Sequence, residues 1–134
     1  MNKPFSPSLH SDNDLKAREI AIKWLAGRGL HGINNPDKYG VDMFVPVMMK
    51  IDVEIKLGWV GEFTFPTIHI PARKVKFLKW LTQFWVISGD GKRMLQVDGW
   101  NLKKEFLVEV PNKYVESGEK FYAVPKNLAR EVVL

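Results

Sequence analysis

The stretch from Gly40 to Lys56 constrains this chain more than any other. It reads Gly40-Val41-Asp42-Met43-Phe44-Val45 and, after a short connection, Ile51-Asp52-Val53-Glu54-Ile55-Lys56. Val41 to Val47 is apolar on both faces, the pattern of a central, buried strand. Ile51 to Leu57 alternates, so Ile51, Val53, Ile55 and Leu57 point into a core while Asp52, Glu54 and Lys56 point the other way. Paired as a hairpin, the two runs gather carboxylates and one ammonium on one patch of sheet.

Asp42 is the residue that an ordinary amphipathic strand does not account for. Its neighbours along the strand are apolar on both faces, and an unpaired carboxylate buried there is costly. A hairpin centred on Met48 sets Asp42 opposite Glu54. Directly opposed side chains have Cβ atoms about 4.5–5.5 Å apart, and like charges at that distance repel. Lys56 supplies part of the compensation and a bound divalent cation the rest. Mg²⁺, with Mn²⁺ as its substitute, typically takes one or two carboxylates plus water and phosphate oxygens. The expected ligands are Asp42 and Glu54. Lys56 then orients or deprotonates the attacking water, or neutralises charge developing on phosphorus; the alternative is a salt bridge to Glu54 or Asp52. Glu19, close to the apolar face of the first helix, either adds a third carboxylate or pairs with Lys23 at i,i+4. Asp37 follows Pro36 in a loop before the strand and is the less favoured position for the first acid.

The charge distribution fits a polyanionic substrate. Net charge is +5. Residues 50–104 carry ten basic and five acidic side chains, against six and five in residues 1–49 and four and five in residues 105–134. The excess therefore lies beside the acidic patch. Arg73, Lys74, Lys76 and Lys79 recur in a short basic helix and are either phosphate contacts or a solvated face. With no cysteine, disulfides and thiolate metal sites are excluded. No apolar run is long enough to span a membrane, and the N-terminus lacks the apolar core of a signal peptide, so a soluble, cytoplasmic protein is expected. The three histidines show no metal-ligand spacing.

The remaining pattern predicts an irregular tail over residues 1–11 and one domain over residues 12–134. A helix is expected to start at Ser11, with Asp14 three residues on, and to end at Gly27 and Gly29. Strands are expected over Trp59–Ile70, broken at Pro66, over Phe84–Ser88 and Met94–Val97 with a turn at Gly89-Asp90-Gly91, and over Phe106–Val110 and Phe121–Val124. Ala72–Leu81 reads as the basic helix and Lys126–Val132 as a last helical turn or two. The order α-β-β-β-α-β-β predicts an α/β fold, a mixed central sheet flanked by helices.

The helix bearing Glu19, then Gly40-Val41-Asp42, then Val53-Glu54-Ile55-Lys56, together resemble the PD-(D/E)xK nuclease superfamily over roughly residues 12–90. Val41 stands where the name-giving proline would. The size and element order are similar to small Holliday junction resolvases and phage-type endonucleases. The resemblance implies a restriction-endonuclease-like core in which Asp42, Glu54 and Glu19 hold Mg²⁺ and Lys56 helps activate water to cleave DNA. It leaves open whether the substrate is a branched junction, a specific duplex site or a single strand. A homodimer would fit the need to cut two strands together. The rival reading, a non-catalytic nucleic-acid-binding or DNA-packaging accessory protein, keeps the same basic region and uses the acids for structure.

Overall fold

A computed structural model describes residues 7–36, 40–45, 49–79, 81–112 and 115–134. Helix α1 runs from Pro7 to Gly27. It begins four residues before Ser11, so residues 7–11 are helical rather than an irregular tail. Proline suits a first helical turn, where its missing N–H has no partner to lose. The C-terminal end is as expected: Gly29 adopts φ +73°, and the Leu30 N–H reaches back to the Leu25 carbonyl at 2.9 Å.

Among the described residues, nine strands form two sheets. The larger has the order β1-β2-β3-β5-β6-β9 and the smaller β4-β8-β7. In the larger sheet, β2 (Met43–Val45) lies antiparallel between β1 (Ile33–Asn34) and β3 (Met49–Lys56). Strand β5 (Thr82–Ser88) lies parallel to β3, so the sheet is mixed. Strands β6 (Arg93–Asp98) and β9 (Arg130–Val133) complete it, each antiparallel to its neighbour. The central positions belong to β3 and β5; β2 is short and lies next to the two-residue edge strand. In the smaller sheet, β8 (Val115–Pro125) lies between β4 (Thr67–Pro71) and β7 (Leu107–Asn112).

Alternation along the strands builds two cores. Ile51, Val53, Trp85, Ile87 and Met94 pack under Ala17, Ala21 and Leu25 of α1. Phe84, Val86, Leu95 and Val97, on the opposite face, pack against Ile68, Ile70, Tyr122 and Val124 of the smaller sheet. The architecture is thus three layers: helix, six-stranded sheet, three-stranded sheet. A helix covers one face of the central sheet, as expected, but a second sheet covers much of the other.

That second sheet explains the misplaced elements. Trp59 and Phe63 are buried in a loop, and only Thr67–Pro71 is a strand. Ala72–Lys79 is a 3₁₀ helix rather than an α-helix. Residues Lys126–Leu128 form one 3₁₀ turn, after which Arg130–Val133 is strand rather than helix. There, pairing with β6 overrides a weak helical pattern.

The β5–β6 hairpin turns where expected. Ser88 Oγ donates to Asp90 Oδ1 at 2.6 Å and accepts the Arg93 N–H at 3.0 Å. Gly91 has φ +71°, and a Cβ on Gly89 would lie 2.7 Å from the Leu57 carbonyl oxygen. Gly89→Ala should therefore destabilise the fold by about 1–3 kcal/mol, whereas Gly58→Ala, with open space around its Cβ position, should be nearly neutral. Urea midpoints of the two variants check this.

Candidate functional site

The register of β2 and β3 decides which acids meet. Met43 pairs with Ile51, Phe44 with Lys50 and Val45 with Met49, so the hairpin centres on position 47 rather than 48. One step further, Asp42 approaches Asp52 rather than Glu54. Both registers place the same residues on the same face, because the shift moves each partner by two positions. Hydrophobic alternation therefore does not distinguish them. The deciding turn, residues 46–48, lies outside the described residues.

Asp42 stands just before β2, where the ladder to β3 has ended, and its side chain continues the ladder. Its Oδ2 accepts the Val53 N–H at 2.7 Å. Its Oδ1 accepts from Arg18 Nη2 at 3.1 Å. Arg18 also lies against Asp14, one helical turn earlier, with Nε 3.2 Å from Asp14 Oδ2 but off line for a hydrogen bond. On β3, Asp52 is buried, and its Oδ2 accepts from Lys74 Nζ at 2.6 Å. Lys74 comes from the 3₁₀ helix that leads from β4 towards β5. Glu54, next along the same face, is partly buried and accepts no hydrogen bond from the described residues.

These groups line one open cleft of about 340 Å³. Four acids (Asp14, Asp42, Asp52, Glu54) and four cations (Arg18, Arg73, Lys74, Lys76) share its wall. Burial and the adjacent Asp52 push the Asp42 carboxyl from 3.8 up to about 7, against the opposing pull of the Val53 N–H and Arg18. Burial also raises Glu54, with Asp52 adding to the effect and Lys74 and Lys56 opposing it. For Lys74, burial favours the neutral amine, but Glu54 and Asp52 outweigh it and hold the pKa above the ordinary lysine value. The Asp42 and Glu54 carboxyls are therefore held above their ordinary values while Lys74 is firmly charged.

Of the residues singled out from sequence, Asp42, Glu54, Arg73, Lys74 and Lys76 line the cleft. Glu19 is exposed and does not; Arg18 is the helix residue that turns towards Asp42. Lys56 is also outside the lining, with its ammonium 5.7 Å from the centre of the Phe65 ring. Lys79 ends the 3₁₀ helix, its side chain outside the described residues, as is Asp37. Sequence reasoning missed Asp52 as the acid facing Asp42, and missed Arg18 with Asp14. Their i,i+4 spacing and the shared face of Asp52 and Glu54 were the available signals.

Among the described residues, no group of three or more His, Asp or Glu side chains is disposed to hold a metal ion unaided. The donor set still fits a hard divalent cation bound by one or two carboxylates, with water and substrate oxygens completing the shell. The Glu54 carboxylate, which accepts no hydrogen bond from the described residues, and the raised Asp42 are the features such a cation would satisfy. No helix among the described residues is long and apolar enough to cross a membrane. Comparison of the chain with protein-family models, curated proteins and solved structures gives no match.

Because Asp42 is raised in the fold, its protonated form stabilises the native state. That contribution is full below pH 3.8 and is lost as pH rises through about 7. Wild-type stability should therefore fall relative to Asp42→Asn as pH rises through this window. Chemical denaturation of both proteins across the range checks the sign.

Proposed function

We propose that this protein is a metal-dependent endonuclease hydrolysing phosphodiester bonds of DNA. The observation that carries the reading is the single cleft in which Asp42, Asp52 and Glu54 face Arg73, Lys74 and Lys76. Carboxylates with raised pKa values suit a cation that draws off their protons. The surrounding cations suit the phosphates of the substrate. The restriction-endonuclease-like core belongs to the same proposal. It is supported by α1, the acid-bearing antiparallel pair β2–β3 and the parallel neighbour β5.

In this reading Asp42 and Glu54 would hold Mg²⁺ or Mn²⁺, with water and substrate oxygens completing the shell, while Asp52 anchors Lys74 beside them. When bound, the cation supplies Lewis acidity and a water of lowered pKa. Lys74, charged and next to Asp52, is the ammonium that neutralises charge developing on the phosphoryl oxygens. Arg73 and Lys76, exposed at the mouth, bind the flanking phosphates. Arg18 is a positioning residue, which orients Asp42 through the 3.1 Å hydrogen bond. Lys56, at the rim, contributes to strand binding rather than to the reaction. DNA is the partner, in a homodimer if both strands are cut together.

A second reading has its own support. The pairs Arg18–Asp42 and Lys74–Asp52 compensate two of the acids from within the chain, which is what a purely structural acidic cluster needs. The protein would then be a nucleic-acid-binding or DNA-packaging accessory without catalysis.

Single-turnover cleavage separates the two. Purified protein is incubated with supercoiled plasmid, linear duplex, single strands and a four-way junction, with and without Mg²⁺. Asp42→Asn should abolish cleavage, and Lys74→Gln should lower the rate by about 10²–10⁴-fold while DNA affinity stays within a few-fold. Lys56→Ala should weaken binding instead of slowing the reaction. Absence of Mg²⁺-dependent cleavage on every substrate, or a folded Lys74→Gln protein cutting at the wild-type rate, contradicts the endonuclease reading.

A further inference from the structure

The surface next to the cleft carries an aromatic side chain that the reaction does not use. Phe65 is 51% exposed, although it belongs to a loop whose other aromatic residues, Trp59 and Phe63, are buried at 2% and 1%. Single exposed apolar residues are common and need no explanation. Phe65 differs in being braced against a chain of buried rings. Trp59 packs edge-on against Phe63 at 5.1 Å between ring centres, and Phe63 against Phe65 at 5.6 Å with a 62° angle. Trp59 Nε1 donates to the Gly61 carbonyl at 2.9 Å, and Gly61 adopts φ +76°, which fixes the start of the loop. The Lys126 N–H donates to the Pro66 carbonyl at 2.9 Å, which fixes its end. An edge contact also leaves much of the Phe65 ring uncovered.

Two ammonium groups flank this aromatic pair. Lys56 Nζ lies 5.7 Å from the Phe65 ring centre, and Lys126 Nζ lies 5.8 Å from that of Phe63 while donating to the Phe63 carbonyl. Lys56 also links the platform to the cleft. It is the next same-face residue after Glu54 on β3, about 7 Å further along the strand. The route from cleft to rim thus reads carboxylate, ammonium, exposed ring.

We propose that Phe65, flanked by Lys56 and Lys126, is a stacking platform for an unpaired nucleobase, so that the cleft receives single-stranded DNA or a frayed end in preference to continuous duplex. The chemistry is that of strand-binding surfaces in general: lysines follow the phosphates and a rigid aromatic ring takes a base face. In an intact duplex both faces of each internal base are already stacked, so Phe65 has nothing to contact. A protein partner would use the exposed ring as well, but the ammonium groups of Lys56, which lies in the segment holding the chain's positive excess, and of Lys126 beside the ring pair match a polyanion better. The proposal deepens the endonuclease reading, on which it rests for the role of the cleft.

The test reads binding without catalysis. Fluorescence anisotropy in the presence of a chelator measures the affinity of the full chain for a short labelled oligothymidylate and for a blunt duplex. Phe65→Ala should weaken oligothymidylate binding about tenfold or more and change duplex binding less than about twofold, with an unchanged thermal midpoint. Phe65→Trp should restore the affinity. Wild-type oligothymidylate affinity in Phe65→Ala, an equal loss on both ligands, or a wild type that ignores the oligothymidylate would each overturn the platform. Cleavage with Mg²⁺ is scored separately on the same proteins. A platform without cleavage sinks the endonuclease alone, and cleavage indifferent to Phe65 sinks the platform alone.

Discussion

The Asp42 carboxylate ties together by polar contacts three elements that also share the core under the helix. One oxygen accepts the Val53 N–H of β3 and the other the Arg18 guanidinium of α1, while the backbone leads directly into β2. This tethers the end of the short strand, continues the ladder past its last pair, and holds the helix over the sheet. The same placement creates a problem for the fold. Asp42 and Asp52 are brought together at the cleft wall, and burial with the adjacent Asp52 raises the Asp42 carboxyl despite Arg18. Lys74 is accordingly drawn to within 2.6 Å of Asp52. Glu54 is left with no hydrogen-bond donor among the described residues.

The site follows from the order of the chain. Strand β4 belongs to a different sheet from β3 and β5, so the segment between them crosses the layers and carries a basic 3₁₀ helix with it. Lys74, Arg73 and Lys76 reach the acids of β3 because of that crossing. Parallel pairing of β3 with β5 needs such a connection, whereas a tight hairpin would bring no side chains to the acids. Charge complementarity in the cleft is thus a product of topology.

The sequence made faces legible more readily than partners. Alternation in Ile51–Lys56 correctly assigns Ile51 and Val53 to the core under α1 and Asp52 and Glu54 to the opposite face. It does not fix the register, since a shift of each partner by two residues leaves every face unchanged. For that reason Asp52, rather than Glu54, meets Asp42. Glu19 and Arg18 are adjacent in sequence, yet about 100° per residue around the helix turns one outward and the other to the cleft. The apolar loop Trp59–Phe65 imitated a strand because the Trp59 and Phe63 rings fill space between two sheets, and composition alone does not report the second sheet. Arg130–Val133 imitated a helix because its strand identity comes from β6. The Gly89–Gly91 turn was legible because it depends on local backbone geometry.

The proposed function requires Asp42 to exchange its proton for a divalent cation. Titration calorimetry of Mn²⁺ into the protein near pH 7, repeated in buffers of different ionisation enthalpy, reads cation binding and proton release together. The account predicts binding with net proton release in the wild type, and both sharply reduced in Asp42→Asn. Absence of Mn²⁺ binding, or binding by Asp42→Asn with the wild-type affinity and proton release, would contradict it.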